Sequence, residues 1–105
     1  MKYEIVRTDT ADALIHKIVL NIASNFGPDV AMEKLDKLES DIMLLADNPG
    51  LGEVPRYTFL KRQGYRVLIF EKDLVFYKID EEKKVITIYA VFDHRQDYIS
   101  ILRGM

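Results

Sequence analysis

No cysteine occurs in these 105 residues, so the chain can build neither a disulfide framework nor a thiolate metal site. No apolar run approaches the roughly 18–20 residues that a membrane-spanning helix requires. The opening Met1-Lys2-Tyr3-Glu4-Ile5-Val6-Arg7 lacks the apolar core of a signal peptide. A cytoplasmic protein with no membrane partner is therefore expected. A strong basic excess is missing too, because 15 Lys and Arg face 17 Asp and Glu for a net charge of −2. That total argues against a nucleic-acid binder that is basic throughout. Three chemistries lack their residues. The two histidines, His16 and His94, form no His-x-x-x-His pair, and Ser24, Ser40 and Ser100 have no nucleophile elbow around them. Gly50-Leu51-Gly52 is not followed by the Lys-Ser/Thr of a phosphate loop. No metal and no cofactor are expected.

What is present fits one globular domain over residues 1–105, with 49% apolar and 30% charged residues. Charge is unevenly placed. Residues 1–52 carry five Lys and Arg against nine Asp and Glu, whereas residues 53–105 carry ten against eight. Between Arg56 and Lys72 the cations Arg56, Lys61, Arg62, Arg66 and Lys72 meet only Glu71. A local basic patch of this kind concentrates phosphate or another anionic partner even on an acidic chain.

Residues Tyr3 to Thr8 read as a short strand, and Thr8, Asp9 and Thr10 supply cap chemistry for a helix. Ala11, Leu14, Ile15, Ile18, Ile22 and Phe26 then recur at helical spacing. Gly27-Pro28 ends that helix and begins another, whose stripe is Ala31, Leu35, Leu38, Ile42 and Leu45. So short a turn predicts an antiparallel αα-hairpin. Residues 48–55 read as a loop, rich in turn formers. Strand-like runs follow at Tyr57–Arg62, Tyr65–Glu71, Leu74–Ile79 and Val85–Phe92, with turns at Gln63-Gly64, Lys72-Asp73 and Glu81-Glu82. The expected fold is α+β: an N-terminal strand, the helical hairpin, an antiparallel β-meander forming one small sheet, and a short C-terminal helix over 96–102.

Strand alternation divides the sheet residues between two faces. One is expected to be apolar, and the other to combine Arg66 and Lys78 with aromatic rings. The last strand runs straight into Asp93-His94-Arg95-Gln96-Asp97-Tyr98, which places titratable and cationic groups at the rim of a rigid scaffold. Arg66, His94, Arg95 and Tyr98 suit metal-free cleavage of an RNA phosphodiester. Arginine offers a planar, permanently charged fork to phosphate, histidine moves protons near neutral pH, and tyrosine stacks on a base or holds a neighbour in place. Structural roles compete with these. Arg66 could pair with Glu71 or Asp97, His94 could cap the last helix, Arg95 could bridge Asp93 or Asp97, and Tyr98 could pack with Leu102.

The order of these elements, the loop Asp47-Asn48-Pro49-Gly50-Leu51-Gly52, Gly64-Tyr65-Arg66-Val67-Leu68, Leu74-Val75-Phe76-Tyr77-Lys78-Ile79-Asp80 and Val91-Phe92-Asp93-His94-Arg95-Gln96-Asp97-Tyr98 together resemble the RelE/ParE family. These are toxin subunits of bacterial type II toxin–antitoxin pairs, and the resemblance covers nearly the whole chain. It implies a small sheet cupping a basic site and a cognate antitoxin that wraps the toxin. Its RelE-like branch cleaves mRNA on the ribosome. On that branch Arg66 would be the phosphate-stabilising cation, His94, Arg95 and Tyr98 would complete the catalytic set, and Lys61 or Arg62, with Lys78, would bind substrate. Its ParE-like branch inhibits DNA gyrase with the same fold and needs no nuclease constellation. A third reading keeps the fold as a non-enzymatic binding protein.

Overall fold

A computed structural model describes residues 2–104. It contains strand β1 (Glu4–Arg7), helices α1 (Asp9–Phe26) and α2 (Pro28–Met43), a short helix α3 (Thr58–Arg62), strands β2 (Arg66–Phe70), β3 (Asp73–Asp80) and β4 (Val85–Asp93), and a terminal helix α4 (Tyr98–Arg103). Two 3-10 turns, Leu44–Ala46 and Pro49–Leu51, lie between α2 and α3.

The hairpin forms for local reasons. Thr8 caps α1, its hydroxyl accepting from the Ala11 amide at 3.0 Å, while Asp9 and Asp12 sit in the first turn where the helix dipole favours anions. Gly27 breaks the chain with φ of +94°, open to glycine at little cost, and Pro28 restarts it at the first helical position. Ala11, Ile15 and Ile18 of α1 and Ala31, Leu38 and Ile42 of α2 are buried.

The sheet order is β1-β4-β3-β2. β1 lies parallel to β4, so the last strand is central and joins the chain's first strand to the meander. On the hairpin side Leu68, Val75, Tyr77, Ile86, Ile88 and Val91 pack against the two helices. Full burial of each large apolar side chain contributes about 1.5–3 kcal/mol. A β-bulge between Phe76 and Tyr77 lets β4 keep an apolar residue on each face beyond it.

One expected strand is corrected. Residues 58–62 are helical, with only Tyr57 left extended before them, because a single buried anchor, Leu60, is enough to hold the segment against Tyr65 and Leu102. Gly64, with φ of +84°, then turns the chain into β2. The outer sheet face is consequently covered in part by α3 and α4, over a second core of Leu60, Tyr65, Val67, Phe76, Phe92 and Leu102.

Candidate functional site

The turn after β4 is organised by Asp93. Its carboxylate accepts from the Arg95 amide at 2.9 Å, from Arg95 Nε at 3.0 Å and from Arg95 Nη2 at 3.3 Å. Its own amide donates to Gln96 Oε1 at 2.8 Å, and the His94 amide donates to the Lys72 carbonyl at 2.7 Å. The Arg95 guanidinium holds the Asp93 carboxyl below the usual carboxylate range, and Asp93 in turn raises Arg95. His94 is exposed, with Nδ1 3.4 Å from Asp93 Oδ1. It does not cap α4, since Asp97 does, accepting from the Ser100 amide at 3.3 Å and its hydroxyl at 2.8 Å.

Ionised Asp93 thus contributes to stability above its unfolded pKa of about 3.9, and that contribution is lost as pH falls through the lower folded value. Asp93→Asn is expected to cost roughly 0.5–1 kcal/mol at neutral pH. In denaturant titrations the gap between wild type and variant should close toward pH 3.

Tyr98 packs on the outer face, with its ring 5.7 Å from Phe76 and 6.0 Å from Phe92. Burial, and secondarily the neighbouring Tyr57, pushes its phenol up. Arg66 lies on the other side. Register places it opposite Tyr77, whose ring is in the hairpin-side core. Its Nη2 donates to the Gly50 and Gly52 carbonyls at 3.2 and 2.5 Å. Beside it the Tyr77 hydroxyl donates to the Pro49 carbonyl at 2.7 Å and accepts from the Gly52 amide at 2.9 Å. A two-way backbone bridge between Glu53 and Val67, at 2.7 and 2.8 Å, completes a clamp on the 49–53 loop.

Arg66 and Lys78 therefore do not share a face, contrary to the sequence reading. Lys78 points outward between two rings, 4.6 Å from the Tyr65 centroid and 5.1 Å from Tyr89. Nor does Arg66 approach His94 and Arg95. The ladder Phe70–Asp73–Asp93 sets the cluster at the opposite end of β2, four residues or about 13 Å along the strand. The pairing of Arg66 with Glu71 or Asp97 is absent, and its partners are the loop carbonyls. Lys61 and Arg62 are exposed on α3. Among the described residues no group of three or more His, Asp or Glu could hold a metal ion.

A groove that the sequence reading missed, of about 680 Å³, lies between the hairpin and the β4 end of the sheet. Lys17, Lys34, Lys72 and Arg95 ring it, and Ile18, Ile22, Phe26 and Val30 line it. Its signal in the sequence was Phe26, left at the tip of an amphipathic helix with nothing to cover it. A smaller hollow of about 260 Å³ lies on the outer face beside Val54, Tyr57, Phe76 and Tyr98.

Residues 5–98 match the model of a family described as the ParE toxin of the type II toxin–antitoxin system parDE. The chain belongs to the ParE toxin family. This ParE-type toxin has the fold of solved relatives in both branches of the wider RelE/ParE group. It is similar to a chain from the chromosomal ParDE system of P. aeruginosa, with a TM-score of 0.73 and 19% identity over 88% of this chain and 96% of that one. It is similar also to a chain of the RelBE2 toxin–antitoxin complex of Mycobacterium tuberculosis, with a TM-score of 0.67 and 19% identity over 91% and 95%. A free-state mutant of the E. coli toxin RelE aligns over the full length of both chains, with a TM-score of 0.61 and 12% identity. At these identities the likeness concerns the fold. No curated protein matches the chain. Among its described residues no helix is long and apolar enough to cross a membrane.

Proposed function

We propose that this ParE-type toxin acts by binding a protein target, DNA gyrase, and is neutralised by a cognate antitoxin. The observation that carries the reading is the dispersal of the nuclease set. Arg66 points Nη2 at two loop carbonyls, Tyr98 packs its ring on the other face, and Arg95 is paired with Asp93 at the far strand end. A metal-free RNase needs these groups around one phosphate. A protein-binding toxin needs only a rigid, shaped surface, and the match to the ParE toxin family over residues 5–98 supports that choice.

The test pairs two readouts. The purified protein should inhibit gyrase supercoiling, and its expression should arrest growth with a DNA-damage response and intact mRNA. Arg66→Ala should lower stability by about 1.5 kcal/mol, the worth of a charged hydrogen bond. Codon-localised mRNA breaks that vanish in Arg66→Lys, with supercoiling unaffected, would replace this reading by the RelE-like one.

A further inference from the structure

The sheet ends in an edge that its own chain covers at a single point. β2 is the outermost strand, and among the described residues only the Glu53–Val67 bridge pairs along its free side. Val67 turns both its amide and its carbonyl away from β3 to make that bridge. Backbone groups alternate in direction along an antiparallel strand, so those of Ile69, two residues on, face the same way. In the bridge's register the residue opposite Ile69 is Leu51. That residue is wound instead into the Pro49–Leu51 turn, where its amide donates to the Asn48 carbonyl at 3.0 Å. Ile69 therefore presents an unpaired amide and carbonyl, and its side chain is 53% exposed. Beside it lies the outer hollow, floored by Leu74, Phe76 and Tyr98 and flanked by the exposed Val54 and Tyr57. Arg56 stands at its mouth, and Lys61 and Arg62 follow on α3. None of these three cations makes an ion pair among the described residues.

Each feature selects part of an occupant. An unpaired, apolar edge is a template for another strand. The hollow, about 260 Å³, is smaller than most small-molecule sites and suits a single bulky apolar side chain. The unneutralised cations call for Asp or Glu beyond that anchor. A nucleic-acid strand would meet the cations but offers no peptide backbone to Ile69. We infer that this edge is where the toxin grips gyrase, through an extended, acidic-flanked segment of the enzyme. The inference rests on the gyrase reading above and adds the place and chemistry of contact. The segment's backbone bonds the Ile69 amide and carbonyl, its anchor covers Phe76 and Tyr98 between Val54 and Tyr57, and its carboxylates meet Arg56, Lys61 or Arg62. The loop clamp gains a second role. Arg66 holds the carbonyls of Gly50 and Gly52 on either side of Leu51, which keeps that residue in its turn and the edge open.

The test uses the full-length toxin and purified gyrase holoenzyme, with the half-inhibitory concentration for supercoiling and direct binding by calorimetry as readouts. Ile69→Pro removes an amide that bonds nothing in the free toxin, a change that edge strands accept. It should weaken inhibition and binding about tenfold, whereas Ile69→Val, which keeps the amide, should stay within about threefold. Val54→Asp sets a carboxylate against the acidic flank and should weaken both at least about tenfold at low salt, and less at high salt. Leu20→Ser/Lys83→Glu, an exposed apolar residue and an exposed cation outside the hollow, should remain within about twofold of wild type. Thermal melts verify folding, and Val54→Asp, at a position 54% exposed, carries the test if Ile69→Pro melts early. Inhibition unchanged in Ile69→Pro and Val54→Asp overturns the docking edge, as does an equal loss in Leu20→Ser/Lys83→Glu. Weakened binding to a DNA duplex alone, with binding to DNA-free gyrase intact, overturns it in favour of a nucleic-acid contact. Reduced antitoxin affinity with gyrase inhibition intact overturns it in favour of the antitoxin. The two readings fail differently. Wild-type toxin that neither binds nor inhibits gyrase removes the target and the edge together, whereas wild-type inhibition that the edge variants retain removes the edge alone.

Discussion

Gly52→Ala is expected to destabilise the protein by about 3 kcal/mol, although its backbone conformation, φ −78° and ψ 161°, is open to any residue. The obstacle is space. A Cβ at this position would stand 2.6 Å from the Tyr77 hydroxyl, 2.7 Å from Tyr77 Cε1 and 2.9 Å from the Val67 carbonyl oxygen. Tyr77 is fully buried and cannot swing aside, and the Val67 carbonyl is held by the Glu53 amide. Relieving the contact means moving the loop, which forfeits the Tyr77 bonds to Pro49 and Gly52. Overpacking typically costs about 1–3 kcal/mol, and a buried polar group left unpaired about 1–3 more. Urea unfolding at neutral pH measures the loss. Tyr77→Phe on the alanine background should cost less than Tyr77→Phe alone, because the two positions share one contact. A Gly52→Ala protein within 0.5 kcal/mol of wild type, on the order of an ordinary surface change, would show that the loop is not clamped.

Lys34→Ala should produce a loss of similar size, about 3 kcal/mol, through electrostatics. Asp73 opens β3 and is 3% exposed, with Lys34 of α2 as its charge partner. Directly across the ladder stands Asp93, so two carboxylates oppose each other at the strand end. Like charges so placed are unfavourable, and here each is answered separately, Asp73 by Lys34 and Asp93 by Arg95. Removing Lys34 leaves a buried carboxylate uncompensated, which typically costs about 3–5 kcal/mol. The lower end applies because the Lys34 side chain retains 20% exposure. Lys34→Met/Asp73→Asn should recover most of the loss, because a neutral pair of similar volume carries no stranded charge. Equal instability in the single and double variants would assign the effect to packing.

The long amphipathic elements were legible in the sequence because burial repeats along them. The stripe from Ala11 to Ile22 and the β-branched run Val85–Val91 each contain enough turns or alternations to declare a period. Residues 57–62 do not. One buried leucine in five helical residues leaves no periodicity, and Tyr57 and Phe59 at alternate positions imitate a strand. The partnership of Arg66 and Lys78 failed for another reason. The two strands were read separately, whereas a two-residue turn at Lys72-Asp73, as expected, or at Glu71-Lys72, as found with Glu71 at a φ of +51° and Phe70 paired with Asp73, gives the same register parity. That register sets even-numbered residues of β2 against odd-numbered ones of β3, so Arg66 shares a face with Tyr77 while Lys78 faces away. The Asp93–Arg95 bridge was legible because it is local. The groove was not, since Lys17, Lys34, Lys72 and Arg95 come from four separate segments that only the fold assembles.

The central position of β4 also sets a clock on biosynthesis. β1 ends at Arg7, and the strand it must lie beside begins at Val85. At about 5–20 residues per second the ribosome needs roughly 4–16 s to add the 77 residues between them. Throughout that interval the hairpin has helices but no sheet to cover their apolar stripe. A partly translated chain is therefore a substrate for chaperones and proteases before it is a poison, and toxicity begins only when one late strand slides between two earlier ones.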